Sequence, residues 1–563
     1  MSFQNKEKLR ESGLTLFTAL IVTCVFCFPY LRNSFLYIGH DHFFHLSRIT
    51  GMADALSRGD LLPLIYPYKN NGFGYAGPTF YCDLLLIPFA LLYLCGIALS
   101  TTYKIVIFTA TLAAYLSMYY CLKQMFGKSM NAHIVAILYT FANYHLVNVY
   151  IRGALGEIFA LIFFPLVFLG LYQILVQKKS SCTTLCAGIT GLILSHNISF
   201  VFGMIPVLLY TCIFSGDLRV SQLRTIFRAL AWAFLLTAWY TLPMLEQLRQ
   251  QKLIVHFYAA NLALESQAMN LHDYMTNTLA SPLDFHTNLG WFLPLLSVPV
   301  FFLRIRSRKV HLFILTTAVL GWICFLLPAE LIPWDKLVHL RFIQFPWRLM
   351  ILALPAFCIC TCALFTYAKG MRNAIVTLGI TLLILINTGF HIHGLCSDAW
   401  DFGITSGTTY EDILAGEVID PYFSATYMRV ELAGGEYLPL YTADFRDYPP
   451  VIRNSNGEKL PVSYTKNGNT LSFQLPEEYK DTSLVLPLTW YKGYQVQTRK
   501  NGTWVNVPTF RSDHAFVLFT AEDAGDYRCI YKASVIVILS RLCSAAALFL
   551  LIYSSMVSRS SGI

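Results

Sequence analysis

Residues 13–48 of this 563-residue chain read GLTLFTALIVTCVFCFPYLRNSFLYIGHDHFFHLSR. The first part, residues 13–38, is hydrophobic and long enough to cross a bilayer. The ten residues that follow, 39–48, hold one acid, three histidines and one arginine. If the hydrophobic part spans the membrane, Asp41 lies at the membrane–water boundary, at the depth of a lipid-phosphate headgroup. Asp41 is therefore the first candidate for a catalytic residue.

The composition is typical of a membrane protein with many spanning segments. Hydrophobic residues make up 56% of the chain and charged residues 13%, and the mean hydropathy is +0.53. A soluble protein carries about a quarter charged residues, so a single large soluble core is excluded. The net charge of +9 does not indicate nucleic-acid binding, because the basic residues cluster between hydrophobic segments, where they orient helices.

The fifteen cysteines lie mostly in apolar runs, where they behave as small hydrophobic residues. No paired C-x-x-C motifs occur, so a zinc site is not expected. Cys396 and Cys529 bracket a polar region and would be able to form a disulfide in an oxidising compartment. The polar, basic N-terminus precedes a long apolar run without a small-residue cleavage site, which predicts an uncleaved first helix.

The distribution of basic residues sets the expected orientation of the helices. If every hydrophobic run crosses the membrane, most lysines and arginines fall on the side opposite the basic N-terminus, against the positive-inside rule. If the run at 81–99, with Pro78 before it and Pro88 within it, lies along the interface, the basic loops share the cytoplasmic side with the N-terminus. We therefore predict about twelve transmembrane helices plus one interfacial segment. The hydrophobic runs are 13–38, 81–99, 103–122, 131–149, 157–176, 182–196, 198–215, 226–245, 289–304, 310–327, 346–368, 373–391 and 532–556.

The same orientation places the polar clusters together on the outer face. We expect the C-terminal region, residues 393–531, to be an extracytoplasmic β-sandwich, because Asn-Gly turns separate alternating segments such as 471–475 and 503–507. The chain is thus divided into a transmembrane module at 1–392, this β-rich domain, and a final helix with a short cytoplasmic tail at 532–563. The other segments expected outside are 39–80, 152–157, 195–197, 246–288 and 328–345.

Three interpretations of the first polar cluster remain open. Asp41, His42 and His45 form a partial ligand set for a metal ion. They also fit a solvated loop with incidental charges. The third interpretation is an acid–base centre, because a carboxylate at a partly desolvated boundary has its pKa shifted by burial and by neighbouring charges. Arg48 lies two helical turns beyond Asp41 and shares its face if the segment is helical.

Further candidates lie at the ends of hydrophobic runs. Arg152 and Glu157 form either an ion pair or part of a catalytic site, because ionisable groups at membrane depth are costly. His196 either caps helices or contacts substrate. Arg341 and Arg348 suit a phosphate clamp, since arginine forks match phosphate oxygens, although interfacial anchoring explains them equally.

A glycine-rich loop at 72–78 lacks the context and the lysine of a P-loop, so nucleotide binding is rejected. Tyr75 within this loop either stacks on a sugar ring or anchors the membrane interface.

Together these residues resemble the GT-C class of integral-membrane glycosyltransferases and, more closely, the bacterial YfhO-like membrane proteins. The resemblance covers nearly the whole chain. Each motif is short, and their order carries the resemblance. The matching motifs are Asp41-His42-x-x-His45-x-x-Arg48, Gly59-Asp60-Leu61-Leu62-Pro63, Gly72-x-Gly74, Pro78-x-x-Tyr81, Arg152-Gly153-x-x-Gly156-Glu157, Ser195-His196-Asn197, Gln344-Phe345-Pro346-Trp347-Arg348 and Glu436-Tyr437-Leu438-Pro439.

The resemblance implies transfer of a sugar from a polyprenyl-phosphate donor to an acceptor in the cell envelope, outside the bacterial plasma membrane. The acceptor classes are a polysaccharide, a teichoic acid, a lipid or a protein. Position 43 is Phe rather than the second Asp of an Asp-x-Asp signature, so a divalent cation is not favoured. A transporter or flippase of lipid-linked sugars and a non-catalytic envelope scaffold are the alternatives. The implied catalytic residues are Asp41, Glu157 and His45, and the implied substrate-binding residues are Arg48, Arg152, His196, Arg341, Arg348 and Tyr75.

Overall fold

A computed structural model describes residues 3–32, 36, 39–275, 288–368, 371–397, 435–442 and 449–560. The chain forms two compact units. The first unit contains residues 1–42, 98–234 and 262–413, and the second contains residues 43–97, 235–261 and 414–563. The division of the chain at residues 392 and 531 stays a prediction.

The first unit is helical. Helix Val220–Gln250 begins in this unit and ends in the second. Short 3₁₀-helices at Ser215–Asp217, Leu264–Gln267, Val298–Phe302, Trp334–Lys336, Val338–Ile343 and Pro346–Leu349 and a turn of π-helix at Asn148–Arg152 connect the longer elements. The α-helices are Phe3–Phe26, Phe28–Arg32, Leu99–Phe126, Ser129–Thr140, Asn143–Val147, Leu155–Leu175, Thr183–Ser195, Asn197–Ile213, Leu271–Met275, Phe292–Ser297, Arg308–Leu326, Met350–Tyr367 and Met371–Ser397.

The helices confirm the membrane-protein class but not the predicted number of crossings. Among the described residues, seven helices are long and apolar enough to span a membrane, or eight if the bent pair Ser129–Thr140 and Asn143–Arg152 is one span. Five further apolar helical stretches among the described residues have 10–17 residues, and one of them, Thr381–Cys396, is part of the longer helix Met371–Ser397. The runs at 182–196 and 198–215, for example, form helices of 13 and 17 residues. About twelve full crossings are therefore not confirmed.

Helix Leu155–Leu175 lies at the centre of the first unit. It packs against Leu99–Phe126 and Thr183–Ser195, and 83% of its span is buried. Glycine permits the close approach to Thr183–Ser195: a Cβ atom at Gly170 would lie 2.6 Å from the backbone of Leu185. This approach supplies the van der Waals contact that holds helices together in a bilayer.

The second unit contains an antiparallel β-sandwich, as predicted. Its strands are β1 Arg453–Asn454, β2 Tyr464–Asn467, β3 Thr470–Leu475, β4 Thr482–Thr489, β5 Tyr494–Lys500, β6 Thr503–Val507, β7 Thr509–Arg511, β8 Phe516–Ala521 and β9 Gly525–Tyr531. One sheet has the order β1-β4-β8-β7, and the other has the order β2-β3-β9-β5-β6. The core between them includes the buried side chains of Leu471, Leu486, Val496, Phe519 and Tyr527.

Two of the predicted Asn-Gly turns close hairpins. Lys500 pairs with Thr503, so Asn501 and Gly502 form a two-residue turn, and both have positive φ angles of 50° and 77°. This is the conformation that Asn-Gly favours in a type I′ turn. The turn that begins at Asn467 joins β2 to β3.

The sandwich also packs on the segment that follows helix His42–Ser57. The ring of Phe73 stacks on that of Phe516 with centroids 5.0 Å apart, and the backbone N–H of Thr489 donates to the carbonyl oxygen of Phe73 at 2.8 Å. Lys466 points inward and donates from Nζ to the carbonyl oxygen of Pro67 at 2.7 Å. The β-strands and residues 43–97 therefore share one hydrophobic core.

The motif Glu436-Tyr437-Leu438-Pro439 connects parts of the second unit. The N–H of Ile254 donates to the carbonyl oxygen of Leu438 at 2.9 Å. The ring of Tyr437 stacks on Phe80 with centroids 5.6 Å apart. The motif thus fastens helix Ile254–Asn261 and the segment before helix Ile87–Leu94 to one aromatic cluster. The remaining elements of this unit are Gly77–Phe80, Leu84–Leu86, Glu477–Tyr479 and Val535–Ser560.

Candidate active site

The loop that carries Asp41 is fastened to the π-helical turn Asn148–Arg152. The backbone N–H of Asp41 donates to the carbonyl oxygen of Arg152 at 2.8 Å. The two segments approach so closely that a Cβ atom at Gly39 would lie 2.2 Å from the carbonyl oxygen of Ile151. These contacts lie within the first unit and place Asp41 beside the backbone of Arg152.

His42 is a structural group behind this loop. Its Nδ1 accepts a hydrogen bond from the N–H of Gly39 at 2.6 Å, so the ring proton lies on Nε2. Nε2 then donates to the hydroxyl of Tyr30 at 3.3 Å, and that hydroxyl donates to the carbonyl oxygen of Val149 at 3.2 Å. Burial lowers the pKa of His42 to about 3, so the ring is neutral.

Gly153 makes room for the His42 ring. Its φ angle is +65°, in the left-handed region that favours glycine. A Cβ atom at this position would lie 2.3 Å from Nδ1 of His42. The glycine therefore permits both the turn after Arg152 and the contact with the loop of Asp41.

The interpretation of Asp41, His42 and His45 as a metal site is not supported by this geometry, because both ring nitrogens of His42 are engaged in hydrogen bonds. Within the described ranges, no group of three or more histidine, cysteine, aspartate or glutamate side chains is placed to hold a metal ion.

The centre of the site is a buried cluster of Arg152, Glu157 and Arg348. Arg152 donates from Nη2 to Oε1 of Glu157 at 3.0 Å, and its Nη1 lies 3.0 Å from Oε2 in the same ion pair. Arg348 donates from Nε to Oε1 of Glu157 at 3.0 Å. The hydroxyl of Tyr144 donates to Oε2 at 2.6 Å. The ion pair that the sequence left open is present, and these hydrogen bonds compensate the cost of burying the charges.

Arg152 has two further partners that fix its guanidinium. One is the side-chain oxygen of Asn148, which accepts a hydrogen bond from Nη1. The other is the ring of Trp347, whose centroid lies 4.6 Å from Cζ of Arg152. A guanidinium held by a carboxylate, an amide and an aromatic face has little freedom to rotate.

Arg348 is held in a similar way. Its Nη1 donates to the carbonyl oxygen of Ile343 at 3.1 Å and to Oε1 of Gln344 at 2.6 Å. Its Cζ lies 4.8 Å from the ring centroid of Phe345, and that ring stacks on Trp347 with an interplanar angle of 13°. Gln344 has a φ angle of +63°, which is unusual for a residue other than glycine. Strained backbone thus lies directly beside a buried arginine.

Asp41 keeps partial exposure at the edge of this cluster. Desolvation by the surrounding protein raises the pKa of its carboxyl group. Arg152 and Arg348 are close enough to oppose that rise, whereas Glu157 adds to it. A carboxylate with a raised pKa is a stronger base than an ordinary aspartate, so it is suited to accept a proton from a bound hydroxyl group.

His196 is half-buried where helix Thr183–Ser195 ends and Asn197–Ile213 begins. Its Nδ1 lies 2.9 Å from the hydroxyl of Ser199. Its imidazole contributes to the electrostatic field at the carboxylate of Glu157. The structure therefore brings His196 to the same cluster.

Arg341 and Arg348 lie on consecutive 3₁₀-helices, Val338–Ile343 and Pro346–Leu349. Arg348 joins the cluster through Glu157. Arg341 is half-buried in the preceding helix.

His45, Arg48 and Tyr75 belong to the second unit. Arg48 donates from Nε to Oδ1 of Asp83 at 2.6 Å and from Nη1 to Nδ1 of His45 at 2.9 Å. Helix His42–Ser57 begins after Asp41, so the predicted helical spacing between Asp41 and Arg48 does not apply. The carboxylate partner of Arg48 is Asp83.

Tyr75 is 3% exposed and packs with Phe44 and Leu438. It therefore contributes to the core of the second unit. Cys529 is buried in β9, where it faces Leu471. Cys396 and Cys529 are both free cysteines, so the structure does not contain the suggested disulfide.

Sequence reasoning missed Tyr144, Asn148 and Asp83. Tyr144 and Asn148 precede Arg152 by eight and four residues, a spacing that places all three on one helical face. Asp83 is the one acid in the apolar run 81–99. The spacing of Tyr144 and Asn148 and the isolated acid at Asp83 are both visible in the sequence, and each indicates a buried partner, because an ionisable or polar group in an apolar run requires one.

The chain belongs to a family of membrane proteins described as the 6-pyruvoyl-tetrahydropterin synthase related domain, whose model matches residues 80–393. The match includes Arg152, Glu157 and Arg348, and it begins after Asp41. Family membership agrees with the predicted membrane-protein class.

A curated relative is an uncharacterized protein of Lactococcus lactis subsp. cremoris (strain MG1363), with 26% identity over 240 residues. The match covers 41% of this chain and 39% of that protein, so the chain spans well under two thirds of the relative.

Among solved structures, the chain is similar to arabinofuranosyltransferase AftD from Mycobacteria, with a TM-score of 0.40 and 12% identity over 69% of this chain and 27% of AftD. A mutant of AftD gives a TM-score of 0.39 and 12% identity over 68% and 27%. The chain thus spans about a quarter of the length of AftD.

Proposed function

We propose that this protein is a membrane glycosyltransferase that moves a sugar from a polyprenyl-phosphate donor to a cell-envelope acceptor. The observation that carries the proposal is the position of Asp41, which is hydrogen-bonded through its backbone to Arg152 and lies in the electrostatic field of Arg152 and Arg348. A proton acceptor and two cations suited to phosphate are the groups that such a transfer requires.

In the proposed reaction, a hydroxyl oxygen of the acceptor attacks the anomeric carbon of the donor sugar. The bond between that carbon and the phosphate oxygen breaks, and the polyprenyl phosphate leaves with the electron pair. The hydroxyl proton passes to the carboxylate of Asp41. Burial raises the pKa of this carboxyl group, which brings its basicity closer to what proton transfer near neutral pH requires.

Arg152 and Arg348 are proposed to stabilise the charge that develops on the leaving phosphate. Both guanidinium groups are fixed by other contacts before any ligand binds, and preorganised charges stabilise a transition state without the cost of reorientation. Two arginines and one glutamate leave one net positive charge in the buried cluster, which complements a singly charged phosphodiester.

Glu157 is proposed to hold the two arginines in position. Its carboxylate accepts hydrogen bonds from Arg152, Arg348 and Tyr144, so its oxygens are already occupied. Asp41 keeps partial exposure and is the better candidate for contact with the acceptor.

The outer face of the bacterial plasma membrane is the proposed location of the reaction, with the N-terminus in the cytoplasm. The distribution of lysines and arginines between hydrophobic runs supports this orientation. The proposed partners are a polyprenyl-phosphate-linked sugar and an envelope polysaccharide, teichoic acid, lipid or protein.

The test compares the full-length protein with Asp41→Asn in membranes that contain a polyprenyl-phosphate sugar and an envelope acceptor fraction. We expect transfer to fall at least about a hundredfold, the scale of general-base catalysis, while the amount of folded protein is unchanged. Asp54→Asn is the matched control, because Asp54 is a half-buried acid on helix His42–Ser57 that pairs with Arg58 just after the helix.

Full transfer by Asp41→Asn would contradict the role of this residue. If the wild-type protein moves the lipid-linked sugar across the membrane but does not transfer the sugar, the result would support the transporter alternative and contradict the proposal. Mass analysis of envelope polymers from cells with and without the protein identifies the sugar and the acceptor.

A further inference from the structure

The outward face of the five-stranded sheet carries a row of polar side chains that crosses all five strands. The register places Thr465 opposite Ser472, Ser472 opposite Arg528, Arg528 opposite Gln497, and Gln497 opposite Asn506. The neighbouring positions on these strands, such as Leu471 and Val496, point into the sandwich core. The row is therefore on the side of the sheet away from the core.

Three members of this row are joined by hydrogen bonds. Arg528 donates from Nε to Oε1 of Gln497 at 2.8 Å. Gln497 donates in turn from Nε2 to Oδ1 of Asn506 at 2.8 Å. The acceptors in this hydrogen-bonded relay are the side-chain oxygens of Gln497 and Asn506. The Nδ2 group of Asn506 is therefore not part of the relay and can donate to a ligand. The relay thus fixes the orientation of two amides before a ligand binds.

An aromatic side chain lies beside the relay. Trp504 is half-buried on the edge strand β6, and Cζ of Arg528 lies 4.2 Å from its ring centroid. Arg499 stands opposite Trp504 in the register and lies 3.9 Å from Oδ2 of Asp526. The face therefore combines one indole ring, planar amides and guanidinium groups, and one exposed carboxylate.

We propose that this face binds the glycan chain of an envelope polysaccharide. An indole ring covers the apolar C–H face of a sugar, while amide, guanidinium and carboxylate groups bind its hydroxyls. A nucleic acid would require a strongly basic surface, but the positive charge of Arg499 is offset by Asp526. A stable protein interface would require an apolar centre, which a single tryptophan does not provide.

The identity of the glycan as the acceptor rests on the proposed glycosyltransferase function. Binding at the sheet would raise the local concentration of a long acceptor, as a second attachment point does in multivalent recognition. A short acceptor that cannot reach the sheet would gain nothing. Comparing the transfer rates to long and to short acceptors therefore distinguishes the role of the sheet from the role of Asp41.

The test measures how strongly the full-length protein, in detergent, is retained on an immobilised polysaccharide. The polysaccharide is purified from the envelope of cells that contain this protein. We expect the retention constant of Trp504→Ala to fall about tenfold, as for loss of one aromatic anchor, and that of Gln497→Ala to fall by a smaller factor. The matched control is Phe510→Ala, because Phe510 is 57% exposed on β7 of the other sheet. Its retention is expected to equal that of the wild type.

The same variants are then assayed for sugar transfer to the intact polysaccharide and to a short fragment of it. Trp504→Ala is expected to lose transfer to the intact polysaccharide and to keep transfer to the short fragment. Equal retention of Trp504→Ala and the wild type, or no retention of the wild type, would overturn the glycan site. Retention that depends on Trp504 without any transfer would leave the glycan site standing and contradict the proposed enzyme activity.

Discussion

Nε of Arg348 lies 3.0 Å from Oε1 of Glu157, although 191 residues separate the two in the sequence. The contact joins the start of helix Leu155–Leu175 to the 3₁₀-helix Pro346–Leu349. Since Arg152 binds the same carboxylate, the positions of both arginines depend on Glu157.

Replacing Glu157 by Gln is expected to destabilise the protein strongly. Two buried guanidinium groups would lose their shared counter-charge, and breaking a buried ion pair costs about 3–5 kcal/mol. Thermal unfolding of the protein in detergent measures the change. The control is Asp54→Asn, which removes an exposed ion pair worth about 1 kcal/mol or less.

The double variant Glu157→Gln, Arg348→Gln restores the net charge of the cluster. It is expected to recover part of the stability lost in Glu157→Gln, but to remain inactive because one phosphate ligand is gone. A double variant less stable than the sum of the single changes predicts would contradict charge repulsion as the cause.

The pH dependence of transfer is expected to report the carboxyl group of Asp41. Burial raises the pKa of this group, and the base must be unprotonated, so the rate falls as the pH drops through that raised value. The acid limb of kcat/KM should therefore lie above about 3.9, the ordinary value for aspartate. A limb at or below that value would argue against Asp41 as the base.

His42 is expected to make the fold sensitive to acid. Its pKa is about 3 in the folded protein and about 6.5 when unfolded, so the unfolded chain binds the proton more readily between these values. The stabilisation is complete above about pH 6.5 and is lost as the pH falls towards 3.

Asn at position 42 can accept the hydrogen bond from Gly39 without titrating. His42→Asn should therefore show a flatter dependence of melting temperature on pH across this window than the wild type. An unchanged slope would exclude His42 as its source.

Gly153→Ala is expected to cost more stability than an ordinary substitution at a left-handed position. The new Cβ atom would overlap the His42 ring as well as strain the backbone. Gly127→Ala is the matched control, because Gly127 has a φ angle of +69° and open space around it. Backbone strain alone costs about 1–2 kcal/mol, so a melting temperature equal in the two variants would contradict the predicted overlap.

Much of the fold follows from local sequence. Asn501 and Gly502 predict their hairpin because few residue pairs adopt two positive φ angles, and the alternation at 503–507 matches β6. The number of crossings could not be predicted in this way. Hydropathy detects apolar runs such as 182–196 and 198–215, but it does not decide whether helices as short as Thr183–Ser195 and Asn197–Ile213 cross the bilayer.

The residue types of the site could be predicted from the sequence, but most of the contacts between those residues could not. Arg152 and Glu157 are close in sequence, so their ion pair was among the expectations. The contact of Arg348 with Glu157 depends on tertiary structure that no local pattern encodes. The same holds for Asp83, which pairs with Arg48 across 35 residues.

The π-helical turn at Asn148–Arg152 also limits how the chain can change in length. Such a turn contains one residue more than an α-helical turn, and each α-helical residue rotates the chain by about 100°. Loss of a single residue here would restore regular helix and rotate Asn148 away from Arg152 and Tyr144 away from Glu157, breaking two hydrogen bonds of the present structure. This short stretch should therefore reject insertions and deletions even where it accepts substitutions.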